Sequence, residues 1–171
     1  MKIYTKKGDQ GQTDLMSIRV GKDDVHIELI GLLDEVMANI LMLKHSIKSS
    51  AIKQDLIIIH DVLFMMNYEI AKNSVEGYQT KENDVKFLES RIDQYDLVLK
   101  PLTKFIKLDQ NIEALWSNMA RVITRRAERK FVELSKLQGL NQWSLNYMNR
   151  LSDYLFTLGR YVSEEKELSH E

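Results

Sequence analysis

Residues 5–13, TKKGDQGQT, gather two glycines, two lysines and two threonines within nine positions. Gly8 and Gly11 let backbone N–H groups turn inward and approach an anion closely. Lys6 and Lys7 add positive charge, and Thr5 and Thr13 add hydroxyl donors. The stretch is not a P-loop: it lacks G-x-x-x-x-G-K-[ST], and no strand-to-helix pattern surrounds it. Far along the chain, Arg121, Arg125 and Arg129 recur at every fourth position, with Glu128 beside them. That spacing stacks three guanidiniums on one helix face, where they repel unless water, carboxylates or a polyanion shares the face. A loop of donors and a ladder of guanidiniums together suit a polyphosphate. The same residues also read as a mobile terminus and a solvated basic face, and their types alone leave both readings open.

The elements that must position these groups are helical. Residues 1–22 carry Gly8, Gly11 and Gly21 and no helical stripe, so they read as an extended, glycine-hinged segment. Asp23 and Asp24 form a natural helix start, and helical patterning then runs almost to the end. Helices are expected at about 25–47, 52–73, 82–95, 111–137 and 142–163. A break falls at 77–80, and a loop at 96–109 holds Pro101, the only proline. Gly139 and Asn141 mark the last turn, and residues 164–171 form a charged tail expected to fray. Short links imply antiparallel neighbours, so the predicted fold is an all-α, five-helix up-and-down bundle with an extended glycine-containing N-terminal segment.

In the first helix, Ile27, Ile30, Leu33, Met37, Ile40 and Leu41 form a stripe that Leu29, Leu32, Val36 and Leu43 widen past half the circumference. A helix this broadly apolar is central in its bundle or faces a second subunit. Asp34 projects inside that arc and needs a cation or hydrogen-bond donors there. In the fourth helix, Ile112, Leu115, Trp116, Met119, Val122, Ile123, Ala127, Phe131, Leu134 and Leu137 make the apolar side. Arg126 points towards it and requires an internal acid, Asp153 or Glu35. Met65, Met66 and Trp116 are expected in the core.

Composition narrows the function. At 171 residues and formal net charge −1, the chain is one domain and not a globally basic nucleic-acid binder. It has no cysteine, which excludes disulfides, thiolate metal sites and cysteine nucleophiles. His26, His45, His60 and His170 lack ligand spacing. The start MKIYTKKGDQ has no signal-like apolar core and no apolar run is long enough to span a bilayer, so no membrane association is expected and the expected location is cytoplasmic.

Five segments then occur in order: IYTKKGDQGQTDL from residue 3, GKDD at 21–24, LDE at 33–35, ITRRAER at 123–129 and NRLSDYLF at 149–156. Together they resemble the PduO-type ATP:cob(I)alamin (corrinoid) adenosyltransferase family over nearly the whole chain, 1–171 as a single domain with a nucleotide-binding loop at 1–22 and a helical bundle at 25–163. The resemblance implies a homotrimer with active sites between subunits. It implies transfer of the 5′-deoxyadenosyl group of ATP to the cobalt of a reduced corrinoid, with Mg2+ on the nucleotide and triphosphate released. A reductase and an adenosylcobalamin-dependent acceptor enzyme are the further partners it implies. By position, the family's phosphate loop falls on Thr5, Lys6, Lys7, Gly8, Gly11 and Thr13, and its following lysine on Lys22. Its nucleotide-contacting arginine motif falls on Arg125, Arg126, Glu128 and Arg129, and a further nucleotide contact on Asn149. Its interface aspartate falls on Asp34, paired with Arg125, and its corrinoid-facing phenylalanine on Phe105. A hydrophobic plug at the bundle end is the other reading of Phe105. The family's F-I-L-P-G-G stands here as FIKLDQ at 105–110, without its proline or glycines. A divergent relative that binds ATP or corrinoid for storage or delivery, without catalysis, is the alternative function.

Overall fold

Thr13, Leu15, Ile18 and Val20 stand at alternate positions on either side of a tight connection, and they fold as an antiparallel hairpin of β1 (Gln12–Leu15) and β2 (Ile18–Gly21). Its register pairs Gln12 with Gly21 and Leu15 with Ile18. The structure, a computed structural model, describes residues 4, 6–16, 18–72, 80–103 and 105–168, without the side chains of 165–168. Within the extended, glycine-hinged segment expected over 1–22, the two strands pair because β-branched and apolar residues alternate between Gly11 and Gly21. Leu15 is its buried anchor.

Five helices follow: α1 (Val25–Ser46), α2 (Ser50–Lys72), α3 (Glu82–Asp96), α4 (Ile112–Ser135) and α5 (Gln142–Leu168). They begin where the sequence supplies caps. The Asp24 carboxylate accepts from the His26 amide at 2.8 Å to open α1. Asn111 accepts from the Ala114 amide at 2.8 Å to open α4, and Asn141 accepts from the Trp143 amide at 3.0 Å to open α5. The His26 amide bond holds the Asp24 carboxyl below its usual range, against partial burial. Helix α5 continues to Leu168 through most of the segment expected to fray. The expected break at 77–80, Thr80 apart, lies outside the described residues.

Direction alternates along the chain, as an up-and-down bundle requires. In space α1 packs on α2 and α4, α4 on α5, and α5 on α3. Glu28 and Glu35 of α1 meet Lys130 and Arg126 of α4, an antiparallel match. Glu89 and Asp96 of α3 meet Arg150 and Arg160 of α5, a parallel one. The hairpin lies at the end of the bundle where His26 meets Gln138. The 97–111 connection lies at the other end, strapped over α5.

Two helix faces differ from their expected positions. The buried line of α1 is Leu29, Leu32, Leu33, Val36, Met37, Ile40 and Leu43, whereas Ile27 and Ile30 are half-buried and Leu41 is exposed. On α4 the buried side is Ala114, Ser117, Ala120, Thr124, Ala127, Phe131 and Leu134. Ile112, Leu115, Met119 and Val122 instead face outward in one stripe. A helix between two neighbours is favoured by small residues on its contacting faces, so bulk was a poor guide to burial here. Met66 is fully buried and Trp116 packs partly buried against the core, as expected.

Periodicity also missed the buried charges Asp55, Glu113 and Arg160 and the half-buried Glu69. Asp55 of α2 is almost fully buried and receives Arg91 of α3 at 2.9 and 3.0 Å. Glu69, further along α2, buries Oε1 without a hydrogen-bond donor among the described residues. Burial pushes its carboxyl up to about 7. The folded chain thus binds this proton more tightly than the unfolded chain, so its contribution to stability is full below the unfolded value near 4.5 and is lost as pH rises towards 7. We predict that Glu69→Gln removes a pH dependence on the order of 2–3 kcal/mol between pH 4.5 and 7.5. Urea unfolding across that range checks it; a wild-type slope retained in the variant would refute it.

Candidate functional site

The leading loop is shaped by its own backbone. Lys6 and Gly11 adopt left-handed φ of 59° and 75°. For glycine this is cheap; for lysine it is uncommon and is held by the surroundings. Gly11 donates to the Gly8 carbonyl at 3.2 Å, and Lys22 donates to the Gly11 carbonyl at 2.9 Å, which closes the loop onto the residues just before α1. A Cβ on Gly8 would stand 3.2 Å from the Lys22 ammonium, so that ammonium rests against the Gly8 backbone. Gly8, Gly11 and Lys22 are thus brought together. Lys6 and Lys7 are exposed on the same loop, and Thr13 lies half-buried on β1. Thr5 lies outside the described residues.

On α4 the guanidinium row has the expected geometry. Arg121 is half-buried, donates twice to Asn118 Oδ1 at 2.9 and 3.1 Å, and lies 6.0 Å over the Phe156 ring. Burial, and then the charge of Arg125, lowers its pKa. Arg125 and Arg129 are exposed, and Arg129 donates to the Arg125 carbonyl at 3.2 Å. Among the described residues none of the three is in an ion pair. Glu128 beside them accepts from Asn149 of α5 at 2.9 Å, which joins two of the expected site residues. That pair borders a cleft of about 510 Å³ between α3, α4 and α5, with Trp143 and Val132 in its wall.

Arg126 and Asp34 sit differently from expectation. Arg126 pairs with Glu35, one of the two acids named for it, but both are about half exposed. The pair straddles the α1–α4 seam at its outer edge, so Arg126 needs no internal acid. Asp153 is occupied by Arg150 at 2.8 Å. Asp34 is exposed and not inside an apolar arc, because the true seam of α1 is rotated away from it. Asn67 of α2 donates to it at 2.7 Å. Among the described residues, no hydrogen bond or ion pair joins Asp34 to Arg125 within one chain, nor the leading loop to the arginine row.

Phe105 is fully exposed, so it does not plug the bundle of its own chain. Its neighbours are firmly seated. Leu108 is buried, and a Cβ on Gly159 would meet it at 3.0 Å. Arg160 donates to the Lys100 carbonyl at 2.6 Å, and Asn111 donates to the Val162 carbonyl at 2.9 Å. Clefts of about 480 and 370 Å³ flank this strap, one beside Phe105 and Arg160 and the other beside Phe156 and Arg121. Leu108 thus gives the loop an apolar anchor where the resembling family has proline and glycine. Spacing did not reveal Arg160 or Arg19, which act through backbone carbonyls distant in sequence. Among the described residues, no group of three or more His, Asp or Glu is placed to hold a metal ion.

Arg125 lies outside every ion pair described, and its charge adds to that of Arg121. We predict that Arg125→Ala leaves folding stability within about 0.5 kcal/mol of wild type, as for a surface change away from packing. Urea denaturation checks this; a loss above about 2 kcal/mol would make the row part of the structural framework.

A family model described as cobalamin adenosyltransferase matches residues 3–162. A corrinoid adenosyltransferase of Bacillus subtilis (strain 168) is 37% identical over 168 residues, 95% of this chain and 87% of that protein. The human corrinoid adenosyltransferase MMAB is 33% identical over 172 residues, 95% of this chain and 69% of that protein. A variant PduO-type ATP:corrinoid adenosyltransferase from Lactobacillus reuteri, solved with cobalamin and ATP, superposes with a TM-score of 0.89 at 32% identity, covering 97% of this chain and 96% of that one. A second variant of that type from the same organism, solved with ATP, gives a TM-score of 0.88 at 32% identity, covering 96% of each chain.

Proposed function

The chain belongs to the cobalamin adenosyltransferase family, and from that premise we propose that it transfers the 5′-deoxyadenosyl group of ATP to the cobalt of cob(I)alamin or a related reduced corrinoid. The cobalt electron pair attacks C5′, the C5′–O5′ bond breaks, and its electron pair leaves with triphosphate. Cobalt(I) is the nucleophile, so the protein need supply neither a general base nor a covalent residue. Its tasks are to position the two substrates and to hold the negative charge that grows on the leaving triphosphate.

The observation that carries this reading is the uncompensated row Arg121, Arg125 and Arg129, with the Glu128–Asn149 pair alongside. Arg126 and Lys130 of the same helix are paired with acids of α1, whereas Arg121, Arg125 and Arg129 are in no ion pair among the described residues. A bound triphosphate would balance them. Arg125, Arg129, Lys6, Lys7 and Lys22 are assigned to phosphate, together with the backbone around Gly8 and Gly11 and the hydroxyls of Thr5 and Thr13. Arg126 and Glu128 are assigned to the nucleotide through the arginine motif, and Asn149 through the NRLSDYLF segment at 149–156. Mg2+ accompanies the phosphates, and Phe105 faces the corrinoid.

The site is assigned between subunits of a homotrimer. Three observations support this. The leading loop closes beside Lys22 at one end of α1, whereas Phe105 lies beyond the other end. A 22-residue helix separates them by about 33 Å, too far for one ATP to bridge. Asp34 has a neutral partner and Arg125 has no acid, so each suits the other across an interface. The outward stripe Ile112, Leu115, Met119 and Val122 offers apolar surface for that interface. No helix among the described residues is long and apolar enough to cross a membrane, and we assign the enzyme to the cytoplasm.

Mixing the protein with ATP, Mg2+ and chemically reduced cobalamin should convert the cob(I)alamin visible spectrum to that of adenosylcobalamin. ATP binding without conversion would instead support a storage or delivery role. Arg125→Ala should lower turnover at least ~100-fold, as for loss of one preorganised group at a developing charge; unchanged kinetics would remove Arg125 from the mechanism. Phe105→Ala should impair reduction of bound cob(II)alamin more than alkylation of pre-reduced cob(I)alamin, and equal losses would assign it to packing. Sedimentation equilibrium should give three times the 20.0 kDa chain mass.

A further inference from the structure

Arg19 lies on β2 and is not among the residues assigned to substrate above, yet its guanidinium organises the leading loop. Nη2 donates to the Lys7 carbonyl at 2.5 Å, twelve residues back. Nη1 donates to Asp14 Oδ1 at 2.7 Å, and Nε donates to Gln12 Oε1 at 3.2 Å. All three guanidinium nitrogens are used, two on the adjoining strand and one on the loop, and Asp14 balances the charge. Arg19 is therefore poorly placed to bind phosphate itself. Its unusual partner is the Lys7 carbonyl, because Asp14 and Gln12 belong to the adjoining strand whereas Lys7 belongs to the loop.

A trans peptide fixes the consequence. The Lys7 carbonyl and the Gly8 N–H share one plane and point in opposite directions. Drawing the carbonyl towards Arg19 turns the Gly8 N–H away from the hairpin. Gly8 is also the residue against whose backbone the Lys22 ammonium rests, at 3.2 Å from the Cβ position. The left-handed Lys6 two residues earlier is a conformation that persists only where neighbours impose it. We propose that Arg19 is a positioning residue for ATP: it holds the Lys7–Gly8 peptide so that the Gly8 N–H and the Lys22 ammonium converge on the triphosphate. This rests on the phosphate-loop reading above.

The experiment compares wild type with Arg19→Ala and Arg19→Lys. Pinning by a fork predicts that both variants raise KM for ATP about tenfold or more, with kcat at saturating ATP within about threefold. KM for cob(I)alamin should not change, and the inhibition constant of inorganic tripolyphosphate should rise in step with KM for ATP. Trypsin should cut after Lys6 and Lys7 faster in both variants, with the thermal midpoint of the bundle unchanged. An unchanged KM for ATP, or equal rises in KM for both substrates, would overturn the proposal. So would an unaltered rate of cleavage at Lys6 and Lys7, whatever the kinetics. If wild type neither turns over ATP nor binds tripolyphosphate, the phosphate-loop reading itself fails, and the cleavage rates still report whether Arg19 holds the loop.

Discussion

Helix α4 lies between α1 and α5, and that position sets what its other faces can do. Its inner side is Ala114, Ser117, Ala120, Thr124 and Ala127, with Phe131 and Leu134 only at the far end. Small residues let the three helices approach, and Ser117 and Thr124 settle their hydroxyls on the Leu155 and Ala120 carbonyls at 2.7 and 2.8 Å. The larger apolar residues of the helix are then displaced outward, where one chain leaves them uncovered. The guanidinium row occupies the remaining face. One packing constraint therefore leaves both an apolar stripe suited to a subunit partner and a cationic strip suited to an anion on the same helix.

Charge is handled in two ways in this molecule. Two buried charges are matched, Asp55 by Arg91, and Arg160 by the Lys100 carbonyl with Asp96 and Glu164 nearby, whereas Glu69 has only the option of keeping its proton. Along the α1–α4 seam charge is matched again, by Glu35 with Arg126 and by Glu28 with Lys130. Surface pairs of that kind contribute little to stability, but they fix which side of α4 faces α1. Arg121, Arg125 and Arg129 fall outside this pattern. Their mutual repulsion is a standing cost in the free chain that an anionic ligand would relieve, which is why charge imbalance at that face points to binding.

Both loops that flank the bundle are held by the same device. At one end Arg19 grips the Lys7 carbonyl, and at the other Arg160 grips the Lys100 carbonyl. A guanidinium is well suited to this, since its planar fork can hold a distant carbonyl and still satisfy a nearby acid. The strap over α5 gains a second anchor from Leu108 on Gly159, which is what permits Phe105 to stand out fully exposed. Loops held at their shoulders can present their tips in a set geometry.

The five helices and their caps at Asp24 and Asn141 were legible in the sequence. Each rests on local chemistry: period, capping residues and short motifs act over a few positions and survive into the fold. The hairpin was hidden because two four-residue strands carry too little periodicity against their glycines. Burial on α1 and α4 was not legible either. Which of several apolar stripes faces inward depends on the neighbours, and α4 has two. The partners of charged groups were beyond reach for the same reason. Arg126 could have met Asp153 or Glu35, and only the antiparallel seating of α1 on α4 selected Glu35. Asp34 came to the surface because the seam of α1 passes through Leu33, Val36 and Ile40. Sequence determined which groups the chain possesses and the helices that carry them. The tertiary structure decided which are neutralised within a chain and which are left for a ligand or a second copy, because that balance is a property of distances between segments remote in sequence.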